Sequence, residues 1–257
     1  QEVAISQDGQ KEAMEHAGRT GGLPFVGVGW YRTEFDVPQF QAGKRATILF
    51  DGAMSHANVY INGQKVGYWP YGYNSFHFDI TKYLKPGEKN TLAVRLENLP
   101  ESSRWYPGAG LYRNVHLIIT EDAYIPVWGT YITTPSVNEK FAKVNVRTKV
   151  VLPEGADPAK YSVETSVWNP NKQKLTAVRT SLAQMKYNNN QAEQEFVIQA
   201  PSLWSPEMPA LYSAETRLYE GDKLKDIYTT PFGIRSIEII PDKGFFLNGK
   251  RTVFKGV

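Results

Sequence analysis

The sequence predicts an all-β protein made of two successive β-sandwiches, and three observations carry that prediction. Short runs in which apolar and polar residues alternate recur along most of the chain, the pattern of a strand with one buried face. Asn62-Gly63 and Asn248-Gly249 each stand between two such runs, where a type I′ hairpin turn wants positive φ at both central residues. Helical periodicity is nearly missing, its one candidate being residues 7–17, whose apolar positions are few and small.

In chain order, the first group of strands is expected at residues 32–37, 46–51, 57–61, 91–97 and 115–120, with residues 64–67 completing the hairpin around Asn62-Gly63. A boundary falls at residues 121–126, and about 110 residues of fresh alternating strands follow, the size of one immunoglobulin-like domain. There Val144, Val146 and Val150 alternate with Asn145, Arg147 and Lys149, and Tyr161, Val163, Thr165 and Val167 alternate with Ser162, Glu164 and Ser166. Further runs lie at 176–182, 195–199 and 211–219. A second boundary near residues 233–240 leads to a last Asn-Gly hairpin and an apolar strand at which the sequence stops. A natural domain rarely ends there, so a third unit is expected to be cut short.

Composition narrows the function classes. The 257 residues are 41% hydrophobic and 13% aromatic, enough to bury the cores of two ordinary domains. Lys and Arg number 29 against 26 Asp and Glu, with no run of like charge, so nucleic acid is not an expected partner. No stretch approaches the roughly eighteen apolar residues of a membrane-spanning helix, so no membrane partner is expected. Cysteine is absent, which removes disulfides, thiolate metal sites and cysteine nucleophiles. His16, His56, His77 and His116 lie far apart without metal-ligand spacing, so no metal or cofactor is expected, and His77 and His116 read as ordinary strand-face residues. Gly27-Val-Gly29 and Gly108-Ala-Gly110 lack the context of a phosphate loop, and no nucleophile elbow is present. Asp51, Asp79, Glu97 and Glu101 fall near strand ends, where solvated or turn-capping carboxylates are the norm.

What stands out is aromatic crowding. Tyr68, Trp69, Tyr71, Tyr73, Phe76 and Phe78 place six rings in eleven residues, and Arg104, Trp105, Tyr106, Tyr112 and Arg113 surround a Gly/Pro loop preceded by Asn98, Glu101, Ser102 and Ser103. A pyranose offers an apolar C–H face and a rim of hydroxyls, so rings edged by Asn, Glu or Arg suit it. The same rings also serve as sandwich core or as an interface patch.

At these residues the chain resembles the non-catalytic N-terminal half of glycoside hydrolase family 2, the family of β-galactosidases, β-glucuronidases and β-mannosidases. Gly29-Trp-Tyr-Arg-Thr-Glu-Phe-Asp-Val-Pro38 resembles its opening strand. Phe50-Asp-Gly-Ala-Met-Ser-His-Ala-Asn-Val-Tyr-Ile-Asn-Gly63 with Val66-Gly-Tyr68, Asn74-Ser-Phe-His-Phe-Asp-Ile80, Leu92-Ala-Val-Arg-Leu96 and Gly110-Leu-Tyr-Arg-Asn-Val115 resemble its sugar-binding domain. Leu203-Trp-Ser-Pro206, Pro209-Ala-Leu-Tyr212 and Phe232-Gly-Ile-Arg235 resemble the end of its immunoglobulin-like domain, and residues 244–257 the lead-in to its (β/α)8 barrel.

The resemblance implies a jelly-roll, galactose-binding-like sandwich at residues 1–122, an immunoglobulin-like sandwich at 123–235 and the start of a truncated barrel at 236–257. The family's Leu-Pro-His-Asp-Trp stretch has no counterpart, which implies that the first sandwich lacks an N-terminal piece. The family's catalytic glutamates belong to the barrel, so the resemblance implies a fragment that is itself inactive within a retaining hydrolase. It implies a substrate-binding loop carrying Glu101, Ser102, Ser103, Arg104 and Trp105, with residues 27–29 beside it. Some members hold a cation through a carboxylate in that loop; Ser102 and Ser103 occupy the nearest positions here, and Glu101 substitutes only if the register shifts by one. Tyr71-Gly-Tyr-Asn74 resembles β-galactosidase-like bacterial members, which favours β-linked galactosides as substrate. The location stays open, a periplasmic or secreted bacterial one being preferred over a cytoplasmic one. The implied partners are the missing barrel and a homo-oligomer. The competing classes are a carbohydrate-binding module acting alone, a β-glucuronidase or β-mannosidase of the same family, and a pair of sandwiches serving only in oligomer contacts.

Overall fold

The structure, a computed structural model, describes residues 27–40, 43–99, 109–184 and 191–254. The candidate helix at 7–17 and residues 101–105 lie outside the described residues. The chain divides into two compact units between Ile119 and Thr120.

In the first unit the strands are β1 (Gly27–Asp36), β2 (Arg45–Phe50), β3 (Ala57–Ile61), β4 (Gln64–Trp69), β5 (Phe76–Asp79), β6 (Lys89–Asn98) and β7 (Val115–Thr120). They form a sheet of order β1-β6-β3-β4 and a second of order β5-β2-β7. Ile48 and Phe50 of β2 and Phe76 of β5 meet Val59, Ile61, Val94 and Leu96 of the other sheet in one core, as alternation along each strand requires. Asn62 (φ 51°) and Gly63 (φ 81°) make the tight turn from β3 to β4. Asp79 accepts the Thr81 backbone N–H at 2.8 Å and so caps the 3-10 turn Thr81–Tyr83.

The second unit contains β8 (Thr130–Val137), β9 (Phe141–Lys149), β10 (Tyr161–Trp168), β11 (Lys174–Ser181), β12 (Gln191–Gln199), β13 (Tyr212–Glu220) and β14 (Lys223–Phe232). One sheet has the order β11-β10-β13-β14 and the other β12-β9-β8. Their core is split. Val146 of β9, Val167 of β10, Phe196 of β12 and Ala214 of β13 belong to one apolar cluster, and Val150, Val163, Ala192 and Leu218 to another. Between them, one per strand, stand the buried polar residues Thr148, Thr165, Gln194 and Thr216. Thr165 and Thr216 are register partners with hydroxyls 3.2 Å apart, and the Gln194 amide donates to the carbonyls of Val163 and Val178.

Strands β15 (Ile237–Ile240), β16 (Gly244–Leu247) and β17 (Lys250–Arg251) form a small sheet. Its β16–β17 turn uses Asn248 and Gly249, both at positive φ. Asn248 fixes this sheet: its N–H donates to the Ser236 carbonyl, its side-chain oxygen accepts from Ser236 N–H, and its amide donates to the Trp204 carbonyl, each at 3.0 Å. Ile237, Ile239, Val253 and Phe254 remain exposed on it.

Candidate functional site

Folding brings together the two aromatic segments, which lie some forty residues apart in sequence. After β2 the chain must cross to the other sheet to start β3, and it does so through residues 51–56, where His56 sits at φ 49°. On that crossing Met54 pairs with Gly110, each N–H donating to the other's carbonyl at 3.0 and 3.1 Å. The Tyr112 hydroxyl donates to the Gly72 carbonyl at 2.8 Å, which ties the segment after β4 to the segment before β7. Gly52 is required here, because a Cβ on it would lie 2.7 Å from the Tyr112 hydroxyl.

The six rings of residues 68–78 divide by depth. Phe76 is core and stacks on Phe50 at 4.8 Å between centroids and on Trp69 at 5.6 Å, with Phe78 edge-on at 5.7 Å. Tyr68, Tyr71 and Tyr73 are exposed, the last two in an edge-to-face pair at 5.5 Å. Half of the cluster therefore holds the sandwich together and half faces outward. Strand alternation alone separates Phe76 and Phe78 from their neighbours but gives no such signal for Tyr71 and Tyr73, which lie between strands.

Gly27 and Asn98 are register partners, so the chain entering β1 and the chain leaving β6 toward residues 101–105 are adjacent. Glu101, Ser102, Ser103, Arg104 and Trp105 themselves lie outside the described residues. On the neighbouring strand ends the remaining singled-out carboxylates and histidines find partners. Asp51 accepts from or pairs with His116 Nε2 at 2.9 Å, and Glu97 pairs with Arg95 at 3.1 Å. His56 Nδ1 meets the Tyr68 hydroxyl at 2.7 Å, a contact that sequence spacing did not single out. Burial holds the His77 imidazole below its ordinary value and so favours its neutral form at neutral pH. Among the described residues no group of three or more His, Cys, Asp or Glu is placed to hold a metal.

The second unit has an open cleft of about 480 Å³ lined by Asn169, Leu175, Gln199, Met208 and Tyr212 among others. Its lining carries no carboxylate, imidazole or amine, so it has no acid–base pair for catalysis.

Comparison with known proteins places these features. The profile described as the sugar binding domain of glycosyl hydrolases family 2 matches residues 24–121, and the profile described as glycosyl hydrolases family 2 matches residues 124–235. A β-galactosidase of Bacteroides ovatus is 40% identical over 248 residues, which is 95% of this chain and 29% of that protein. A β-glucuronidase of Bacteroides fragilis is 34% identical over 244 residues, 90% of this chain and 34% of that protein. The crystal structure of a family 2 member from Bacteroides cellulosilyticus superimposes with a TM-score of 0.82 at 34% identity, covering 90% of this chain and 32% of that one. The chain thus spans about a third of the length of the relatives it matches.

Proposed function

The chain belongs to glycosyl hydrolase family 2, and from that premise we propose that it is the non-catalytic N-terminal portion of an exo-acting β-glycosidase, a β-galactosidase, in which it buttresses the catalytic barrel and forms one wall of the sugar pocket. The observation that carries the reading is the succession of the two family profiles along one chain that spans only part of its relatives. The convergence of residues 52–56, 71–73 and 110–112 at one end of the first sandwich, beside the paired Gly27 and Asn98, supports a wall built from loops of that end.

Retaining hydrolysis uses two carboxyls about 5 Å apart across the scissile bond, one as nucleophile and one as acid/base. In this proposal those groups belong to the barrel of the longer enzyme. This chain contributes binding: Arg104 offers a forked donor to sugar hydroxyls, Trp105 a stacking face, and Glu101, Ser102 and Ser103 further polar contacts. Aromatic and hydrogen-bonding contacts of this kind raise the rate only insofar as they tighten in the transition state.

The test compares the longer enzyme with this chain on aryl β-galactoside and aryl β-glucuronide. The longer enzyme is expected to turn over the galactoside with the higher kcat/KM and this chain to turn over neither. Turnover by this chain, or a longer enzyme inactive on every β-glycoside, overturns the proposal. Preference for the glucuronide, which the Bacteroides fragilis relative makes the second reading, removes the galactoside assignment alone. Arg104→Ala and Trp105→Ala in the longer enzyme are each expected to lower kcat/KM about tenfold, equivalent to about 1.4 kcal/mol of transition-state stabilisation.

A further inference from the structure

The outward face of the β1-β6-β3-β4 sheet carries an ordered row of side chains that the pocket-wall role does not use. In antiparallel pairing, directly opposed residues share a face. Trp30 opposes Arg95, Arg95 opposes Asn58, and Asn58 opposes Tyr68, so these four form one line across all four strands. Their neighbours along the strands, Val94, Leu96, Ala57 and Val59, are buried in the core, which fixes the row on the opposite, outward face. Trp30 is 58% exposed and Tyr68 47%.

The rows on either side complete a patch. Tyr60 lies against Trp30 with centroids 5.6 Å apart. His56 is bonded to the Tyr68 hydroxyl, and the Asn58 amide donates to the His56 carbonyl at 3.2 Å. Arg95 and Glu97 hold each other at 3.1 Å, so the middle of the row has no net charge from this pair.

We propose that this face is a glycan-binding surface for a neutral β-linked oligosaccharide of about four pyranose units laid across the strands. Neighbouring strands are about 4.8 Å apart, close to the length of one pyranose in a β-linked chain, so the three strand-to-strand steps from Trp30 to Tyr68 match the three unit-to-unit steps of four sugars. The rings at the two ends offer stacking faces for the C–H surfaces of the terminal units. Between them the guanidinium and carboxylate present donors and acceptors in excess of their mutual bond, and Asn58 adds an amide, a set suited to a rim of hydroxyls. A protein partner would ask for the reverse arrangement, an apolar centre inside a polar rim. The inference goes beyond the pocket-wall reading and does not rest on it, because it concerns binding by this chain without hydrolysis.

The test is calorimetric titration of this chain with β-1,4-galactotetraose and with cellotetraose, beside galactose, followed in parallel by tryptophan fluorescence. At least one tetrasaccharide is expected to bind saturably with Kd of about 1 mM or tighter and about tenfold more tightly than galactose. Trp30→Ala and Tyr68→Ala are each expected to weaken it about fivefold or more, and Trp30→Ala to remove most of the fluorescence change. Both positions are exposed, and a thermal melt confirms that each variant folds. Tyr131→Ala, on exposed β8 of the second unit, is expected to bind as the parent does. No saturable binding by either tetrasaccharide, or binding that survives both ring substitutions, overturns the proposal. Sedimentation that shows a dimer lost in Trp30→Ala also overturns it and assigns the face to a second copy. Hydrolysis by the longer enzyme is read separately, so failure here leaves the pocket-wall proposal standing.

Discussion

Asn62 and Asn90 show how much a single polar side chain can organise in this fold. Asn62 takes the left-handed position of its turn, donates to Tyr83 carbonyl and Asn90, and accepts the Thr91 N–H at 2.9 Å. Asn90, 1% exposed, accepts from Lys85 N–H and donates to the carbonyls of Lys85 and Glu88. Asn90→Ala strands several of these groups and is expected to cost about 2 kcal/mol or more in a denaturant melt. Thr148 is the opposite case. It is fully buried and its hydroxyl has no hydrogen-bond partner, so Thr148→Val, which keeps the shape and removes the unpaired group, is expected to raise stability by about 1 kcal/mol. A Tm unchanged or lowered by that substitution would contradict the view that this hydroxyl is a net cost. The turn role of Asn62 was legible from its glycine neighbour; its bonds to Tyr83 and Asn90 were not, since they join residues 21 and 28 positions away.

At the scale of elements, regular alternation revealed β9 and β10 because every second residue is buried between two sheets. Strands β8 and β14 gave no such signal. Each ends a sheet, each carries a proline (Pro135 and Pro231), and each has a register shift against its neighbour, the situation in which proline is tolerated and the alternating pattern blurs. Strand β14 is nevertheless anchored at its start. Lys225, whose side chain is 7% exposed, meets Asp122 at 2.8 Å and Glu220 at 3.5 Å, and Asp226 accepts the Ile125 N–H at 2.8 Å. The hydrogen bond from Lys225 holds Asp122 below the usual carboxylate range, and the same bond raises Lys225. The contribution of Asp122 is therefore present above its unfolded value of about 3.9 and lost as pH falls through the lower folded one. That of Lys225 is full below about 10.4 and lost as pH rises through its higher folded value. Burial raises Asp226, so its contribution fades as pH climbs past the ordinary carboxylate range. Lys225→Met is expected to lower stability at neutral pH by about 1–2 kcal/mol by leaving two carboxylates without their cation. It is also expected to flatten the pH dependence of Tm at both the acid and the alkaline end, and a curve parallel to the parent's would count against this account.

For the molecule as a whole, the all-β class and both Asn-Gly turns were legible, because each depends on local pattern. The meeting of Met54 with Gly110 and of Tyr112 with Gly72 was not, since chain crossings between sheets decide it. Nor was the line from Trp30 to Tyr68, which needs the strand order β1-β6-β3-β4 and its register. The antiparallel bridge between Met54 and Gly110 has a further consequence. It joins the crossing from β2 to β3 to the chain that enters β7, two places far apart in sequence. The entropy of closing a chain segment grows only with the logarithm of its length, about 0.6 kcal/mol per doubling. Connections between the strands that separate Met54 from Gly110 can therefore change in length at small thermodynamic cost with the bridge still formed.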